Sequence, residues 1–373
     1  MEARPVHPAL DHADAAMPLS LQGPGPMQGR GLRRGNGRLR SRWRAANDDA
    51  MTGRIIAWGL VALLLVVLGG AALVVGGSYL EHRDLVRQEK AAYPPPGSIV
   101  RVDADDGAEV RLHVYAAGRG DPTLVFLAGL GTSAPVFDFR PLYDRLSEDY
   151  RISVVERAGY GWSEIARSPR DIDTVLGQTR AALAGAGEAP PYVLLPHSMA
   201  GLEAVRWAQE HPNEVAAIIG LDPLVPGYIE QAGETAELSP LITALARTGL
   251  MRSGPDVFET NFPAMVEERL GEEEAAAARA LFMRRTNTPP MWAELRRLDR
   301  NAAIVRAEGV PDVPVHAFVS TRQSPAWIDA VAAYAEAAGG QLRRIEAGHY
   351  LHVERPDAVA EAIRAIIEAR GDG

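Results

Sequence analysis

Apolar positions are arranged in three regimes along this chain. Up to about residue 54 they are sparse and without period. From Ile55 to Leu80 they are nearly continuous, with no charged residue. From Ser98 onward short apolar runs alternate with stretches of helical spacing. The runs predict strands at Ile99–Val102, Glu109–Tyr115, Thr123–Leu127, Ile152–Val155, Tyr192–Leu195, Val215–Leu221, Val313–Val319 and Gln341–Ile345, the first two joined by the turn Asp105-Asp106-Gly107. Helices are predicted at Phe137–Leu146 and Ile172–Leu183. A last helix starts at Pro356, with Val359, Ile363, Ile366 and Ile367 on one stripe. Strands alternating with helices predict a mostly parallel sheet covered on both faces. The region from Leu224 to about Gly309 is helical throughout and too long for a simple crossover. It reads as an inserted cap over the carboxyl edge of the sheet.

The apolar run 55–80 is long enough, at ~1.5 Å per residue, to cross the ~30 Å of bilayer hydrocarbon. Trp58 and Tyr79 stand near its ends, where aromatic rings favour the interface. Arginines crowd its N-terminal flank, while Glu81, His82, Arg83, Asp84 and Arg87 give a mixed flank on the other side. The positive-inside bias therefore predicts an uncleaved, single-pass anchor with a cytoplasmic N-terminus and an extracytoplasmic globular part. Val75-Gly76-Gly77-Ser78 is a poor match to a signal-peptidase site.

Composition refines this division. Residues 1–54, rich in Pro, Gly and Arg, read as a disordered arm. Its arginines, from Arg30 to Arg44, lack the aromatic platform of a nucleic-acid binder and suit a topogenic role. Met51 is a second candidate start. Residues 81–97, ending in Pro94-Pro95-Pro96-Gly97, read as a juxtamembrane linker, and 98–373 as the globular domain. The net charge is -9 despite the basic arm, so the domain is acidic and nucleic acid is not its expected partner. With no cysteine there is neither a disulfide nor a thiolate metal site. No metal or nucleotide motif is present, and Gly159-Tyr160-Gly161 alone is no dinucleotide fingerprint, so no cofactor is expected.

The candidate chemistry centres on Tyr192-Val193-Leu194-Leu195-Pro196-His197-Ser198-Met199-Ala200-Gly201. A strand ends at His197-Ser198 and a helix begins at once. Such a turn strains the backbone of its middle residue and projects the side chain from the sheet edge. Ser198 is then either an exposed nucleophile or a serine that caps the helix.

Four segments together resemble the α/β-hydrolase fold superfamily, from about Ser98 to the end. Pro196-His197-Ser198-Met199-Ala200-Gly201 resembles its Gly-His-Ser-Met-Gly-Gly elbow. Phe126-Leu127-Ala128-Gly129-Leu130-Gly131 resembles its His-Gly turn, with alanine for histidine. Glu156-Arg157-Ala158-Gly159-Tyr160-Gly161-Trp162-Ser163 resembles Asp-Arg-x-Gly-x-Gly-x-Ser, with glutamate for aspartate. Ala347-Gly348-His349-Tyr350-Leu351-His352-Val353-Glu354-Arg355-Pro356 resembles the Gly-His-x-x-His-x-Glu-x-Pro segment that delivers a catalytic histidine.

The resemblance implies Ser198 as nucleophile and His349 as base. It makes His352 a structural neighbour and gives His197 a packing role. The N–H groups of Leu130 and Met199 become the oxyanion donors. The usual acid turn here reads Ser320-Thr321-Arg322-Gln323, without a carboxylate. Asp222, in Gly220-Leu221-Asp222-Pro223, keeps the order Ser…Asp…His and is the preferred acid, with Asp329 and Asp312 behind it. In this reading the chain is a membrane-anchored serine hydrolase of a small-molecule ester, amide or related acyl compound. Two alternatives stand beside it: a non-catalytic binding or scaffold module of the same fold, suggested by Pro196, Ala128 and the empty acid turn, and cofactor-free peroxidase or lyase chemistry on the same triad.

Overall fold

Leucine, alanine and arginine propagate a helix once it is nucleated, and the apolar run does not stop at its expected ends. In the computed structural model, which describes residues 36–103, 109–232 and 238–371, helix α1 spans Asn36–Ala92. Residues 36–54, expected to be disordered, are helical, and so is most of the expected linker, from 81 to 92. The reason is local. Arginine and alanine between Arg38 and Arg54, and Leu85 to Ala92 beyond the apolar run, are compatible with helix, and each added residue only extends an existing ladder. Residues 1–35 of the arm, and the turn Asp105-Asp106-Gly107, lie outside the described residues. The large apolar side chains from Ile55 to Leu80 are all exposed, Leu65 and Val66 by 63% and 71%. The helix is long and apolar enough to cross a membrane.

The chain divides into two units at Gly69 and Gly70. The second contains an eight-stranded sheet in the order β1-β2-β4-β3-β5-β6-β7-β8. Its strands are β1 (Ser98–Asp103), β2 (Glu109–Ala117), β3 (Thr123–Leu127), β4 (Arg151–Glu156), β5 (Tyr192–Pro196), β6 (Val215–Leu221), β7 (Val315–Ser320) and β8 (Leu342–Ile345). Only the β1–β2 and β2–β4 pairings are antiparallel. Strand β7 begins after Pro314, which has no N–H for the ladder.

Helices cover both faces, which is why the central strands are apolar without alternation. On one side lie α2 (Pro135–Leu146) and the last helix (Pro356–Gly371). Phe126, Phe139, Leu142, Val359 and Ile363 are buried between them and the sheet. On the other lie α3 (Ile172–Gly185) and α4 (Ala200–Glu210), with Leu176, Leu183, Leu202 and Trp207 in a second core.

The region between β6 and β7 forms the cap: α5 (Pro226–Ala232), α6 (Pro240–Thr248), α7 (Val257–Asn261), α8 (Pro263–Val266), α9 (Glu272–Arg285) and α10 (Pro289–Ala307). After β7 come α11 (Pro325–Ala337), α12 (Leu351–Glu354) and the last helix, α13. Phe258, Phe262, Leu281 and Met283 of the cap are buried in a cluster that also takes in Phe137 of α2 and Val353. The cap is tied to the sheet by ions as well. Arg157, after β4, donates to Glu294 of α10 at 3.2 Å, and Arg170 donates to the same carboxylate at 2.6 Å. Tyr160 adds its hydroxyl at 2.6 Å. All four side chains are buried.

Candidate active site

Parallel strands all point their carboxyl ends one way, so the loops that leave them converge. Here they carry Leu130 after β3, Ser198 after β5, Asp222 after β6, Gln323 after β7 and His349 after β8. Ser198 sits in the left-handed region at φ 52°, between the end of β5 and the start of α4. The turn is held by two amides that donate to the Ser198 carbonyl, Gly201 at 2.9 Å and Leu224 at 2.8 Å. Close approach explains the small residues. A Cβ on Gly129 would lie 2.9 Å from Cβ of Ser198, and one on Gly201 would lie 2.3 Å from the Leu224 carbonyl.

Asp222 is wholly buried, also at a left-handed backbone position, φ 50°. Its carboxylate is 2.6 Å from Nδ1 of His349 and accepts from the Ser320 amide at 3.1 Å and from Nε2 of Gln323 at 2.6 Å. Gln323 Nε2 is also 3.1 Å from Nδ1 of His349. With the Nδ1 proton directed at Asp222, an amide N–H has no lone pair to meet there. Gln323 therefore acts on the carboxylate as a donor.

His349 is partly exposed, and with Ser198 it lines a cavity of about 390 Å³. Leu130 and Met199 line it too, and among the described residues neither of their backbone amides donates to a protein acceptor. The remaining wall is mostly apolar. Leu224, Tyr228 and Leu298 come from the cap and Trp327 from α11. Trp327 and Tyr228 meet edge to face at 4.7 Å. The sequence did not single out these four as pocket residues. They carry no motif, and only the folding of α5, α10 and α11 against the sheet edge brings them together.

His197 borders the cavity and packs into a buried cluster of rings, with centroids 4.6 Å from His349 and 4.8 Å from both Tyr350 and His352. Its Nε2 is 3.2 Å from the His349 carbonyl. Burial, with the neighbouring histidines, holds its pKa well below the ordinary histidine value. His352 is fully buried and packed on Phe139, and burial lowers its pKa to about 3. Asp138, in the same interior, is pushed well up by burial.

The carboxylates that trailed Asp222 in the sequence do not share this geometry. Asp329 is on α11 and Asp312 lies just before β7, and neither appears among the hydrogen-bond partners of His349. Among the described residues no cluster of histidine and acidic side chains is arranged to hold a metal ion.

Residues 124–362 match the model of the alpha/beta hydrolase family. Among curated proteins, an uncharacterized Bacillus subtilis protein, YbdG, is 41% identical over 170 residues, covering 45% of this chain and 51% of its own. The chain thus spans about half the length of that relative. A Mycobacterium tuberculosis lipase, LipV, is 26% identical over 276 residues, 70% of this chain and 99% of the relative. Among solved structures, a variant of a putative epoxide hydrolase from Pseudomonas aeruginosa superimposes with a TM-score of 0.55 at 19% identity, over 75% of this chain and 98% of that one. Cfl2 from Burkholderia cenocepacia superimposes with a TM-score of 0.53 at 22% identity, over 72% and 95%. At these identities the structural likeness establishes the fold.

Proposed function

Because the chain belongs to the alpha/beta hydrolase family, we propose that it is a membrane-anchored serine hydrolase acting on an ester, amide or related acyl bond through Ser198, His349 and Asp222. The observation that carries this reading is the 2.6 Å contact from His349 Nδ1 to the buried Asp222 carboxylate, beside a left-handed Ser198 in the same cavity. A serine hydroxyl is a weak nucleophile until a base removes its proton. Holding the Nδ1 proton at Asp222 leaves Nε2 with the lone pair for that task. The carboxylate then faces the imidazolium that forms.

In the proposed reaction Ser198 Oγ attacks the acyl carbon as its proton passes to His349. The N–H groups of Leu130 and Met199 stabilise the oxyanion, each such donor being worth ~3–4 kcal/mol in a comparable site. His349 then protonates the leaving alcohol or amine, and an acyl-enzyme remains. Water attacks that ester, giving its proton to His349, and release of the acid restores Ser198. The mostly apolar wall suits an acyl chain better than a polar one. The lipase LipV, related across nearly its whole length, agrees with acyl-ester chemistry. An aspartate nucleophile has no place in this scheme, since the elbow residue is a serine.

A fluorophosphonate probe tests the reading on the full chain in detergent. Labelling is expected for the wild type and lost in Ser198→Ala and His349→Ala. Labelling that persists in folded Ser198→Ala would refute it.

A further inference from the structure

A second and larger cavity, about 610 Å³, opens where the C-terminal part of α1 meets the cap. It lies within the unit that begins at Gly70 and is separate from the Ser198 cavity. Tyr79, Arg83 and Val86 of α1 form one wall, and Arg247 of α6 and Met283 and Arg284 of α9 form another. Among the described residues no carboxylate lines it. The nearby acids are already engaged, Asp84 with Arg87 and Glu89 with Arg252 at 2.6 Å. Arg252 also donates to Nδ1 of His82 at 2.9 Å, so that imidazole is occupied as an acceptor.

Three guanidinium groups are left over. Arg83 lies over the Tyr79 ring at 5.8 Å, and among the described residues Arg247 reaches the Asn287 carbonyl, at 3.4 Å. Arg284 is the most telling: its Nε and Nη1 are buried and have no hydrogen-bond partner. Among the described residues none of the three has a carboxylate partner. A buried guanidinium without an acceptor is costly, and the fork of an arginine fits phosphate oxygens two at a time.

We propose that this cavity binds the phosphate headgroup of an anionic membrane phospholipid and seats the hydrolase domain against the bilayer. The proposal rests on the reading of α1 as a membrane anchor. Tyr79 belongs to the end of the exposed apolar stretch, and Arg83 follows one turn later, where a helix leaving hydrocarbon meets headgroups. A phosphodiester there would meet Arg83, Arg247 and Arg284, while the apolar walls of Val86 and Met283 take the adjoining glycerol and first methylenes. The charge surplus selects an anionic lipid over a zwitterionic one.

The test titrates the full chain in nonionic detergent with dioctanoyl phosphatidylglycerol and with dioctanoyl phosphatidylcholine, read by native mass spectrometry. Phosphatidylglycerol is expected to bind at least tenfold more tightly. Arg83→Glu with Arg247→Glu, both exposed positions, should weaken it at least tenfold while the melting temperature and fluorophosphonate labelling stay unchanged. If that pair fails to fold, Arg247→Gln replaces it with the same expected direction. Equal binding of the two lipids, or no loss in the folded variant, would overturn the proposal. Displacement of the lipid by equimolar inorganic phosphate would also overturn it, by assigning the site to a soluble anion. Carbonate extraction reads the anchor separately: release of the chain from membranes would sink the anchoring reading, whereas the lipid comparison in detergent reports on the cavity alone.

Discussion

The carboxylate of Asp222 lies 2.6 Å from Nδ1 of His349, although 127 residues separate the two in sequence. The same carboxylate takes a second donor, Nε2 of Gln323, at 2.6 Å. An acid at the end of β6 therefore reaches the histidine across the end of β7, with a glutamine standing at the turn after β7.

This arrangement separates charge from orientation. Asp222→Asn keeps the shape but removes the charge facing the imidazolium and can reverse the tautomer. Turnover of a p-nitrophenyl ester is expected to fall about 10²–10⁴-fold with the fold intact. Gln323→Ala removes only a donor to the carboxylate and should cost about tenfold or less. Near-normal turnover in folded Asp222→Asn would make that residue structural.

The ion cluster beneath the cap should behave as a unit. Glu294 accepts from Arg157, Arg170 and Tyr160, all buried. Arg157 is also paired with the buried Glu203 at 3.4 Å. Glu294→Ala leaves the buried Arg170 without a carboxylate and Arg157 with Glu203 alone, and a loss of ~3–5 kcal/mol in folding stability is expected. Replacing Glu294, Arg157, Arg170 and Glu203 together by Leu, Met, Met and Leu should therefore cost less than that single change, because no charge is stranded. Urea melts followed by fluorescence would decide; a quadruple variant less stable than Glu294→Ala would contradict the account.

Stability should also fall in mild acid because of His352. Its folded pKa, about 3, is below the unfolded value, so the unfolded chain binds the proton first. The stabilisation is complete above the unfolded pKa and is lost as pH falls from there toward about 3. Between pH 7 and pH 5 this one group should remove about 2 kcal/mol. In His352→Phe, which keeps a ring against Phe139, the loss over the same interval should shrink by about that amount. An unchanged pH dependence would show that His352 is not the group responsible.

Topology is open to a direct test, since the chain has no cysteine of its own. In intact cells an impermeant thiol reagent is expected to label Glu308→Cys, at an exposed site after α10, and to reach Ser41→Cys only after lysis. The opposite pattern would reverse the proposed orientation.

The sequence by itself determined the order of elements. Both faces of the central strands are covered, so Thr123–Leu127 and Tyr192–Leu195 are continuous apolar runs, and the helix stripe at Val359 and Ile363 is equally plain. It also marked Ser198, because a strand that becomes a helix within two residues admits few backbone paths. The helix ends of α1 were not legible. Residues with moderate preferences take the state of the helix they extend, so Asn36–Arg54 followed the apolar run. Only the tertiary structure decided which donors surround Asp222, because hydrogen bonds from Ser320, Gln323 and His349 span about a hundred residues and follow from strand order, not from local pattern. The same holds for Tyr228, Leu298 and Trp327 at the cavity wall and for the three arginines between α1 and the cap that have no carboxylate partner among the described residues. A single residue type there says nothing until folding brings its neighbours into reach and removes the water that would otherwise solvate it.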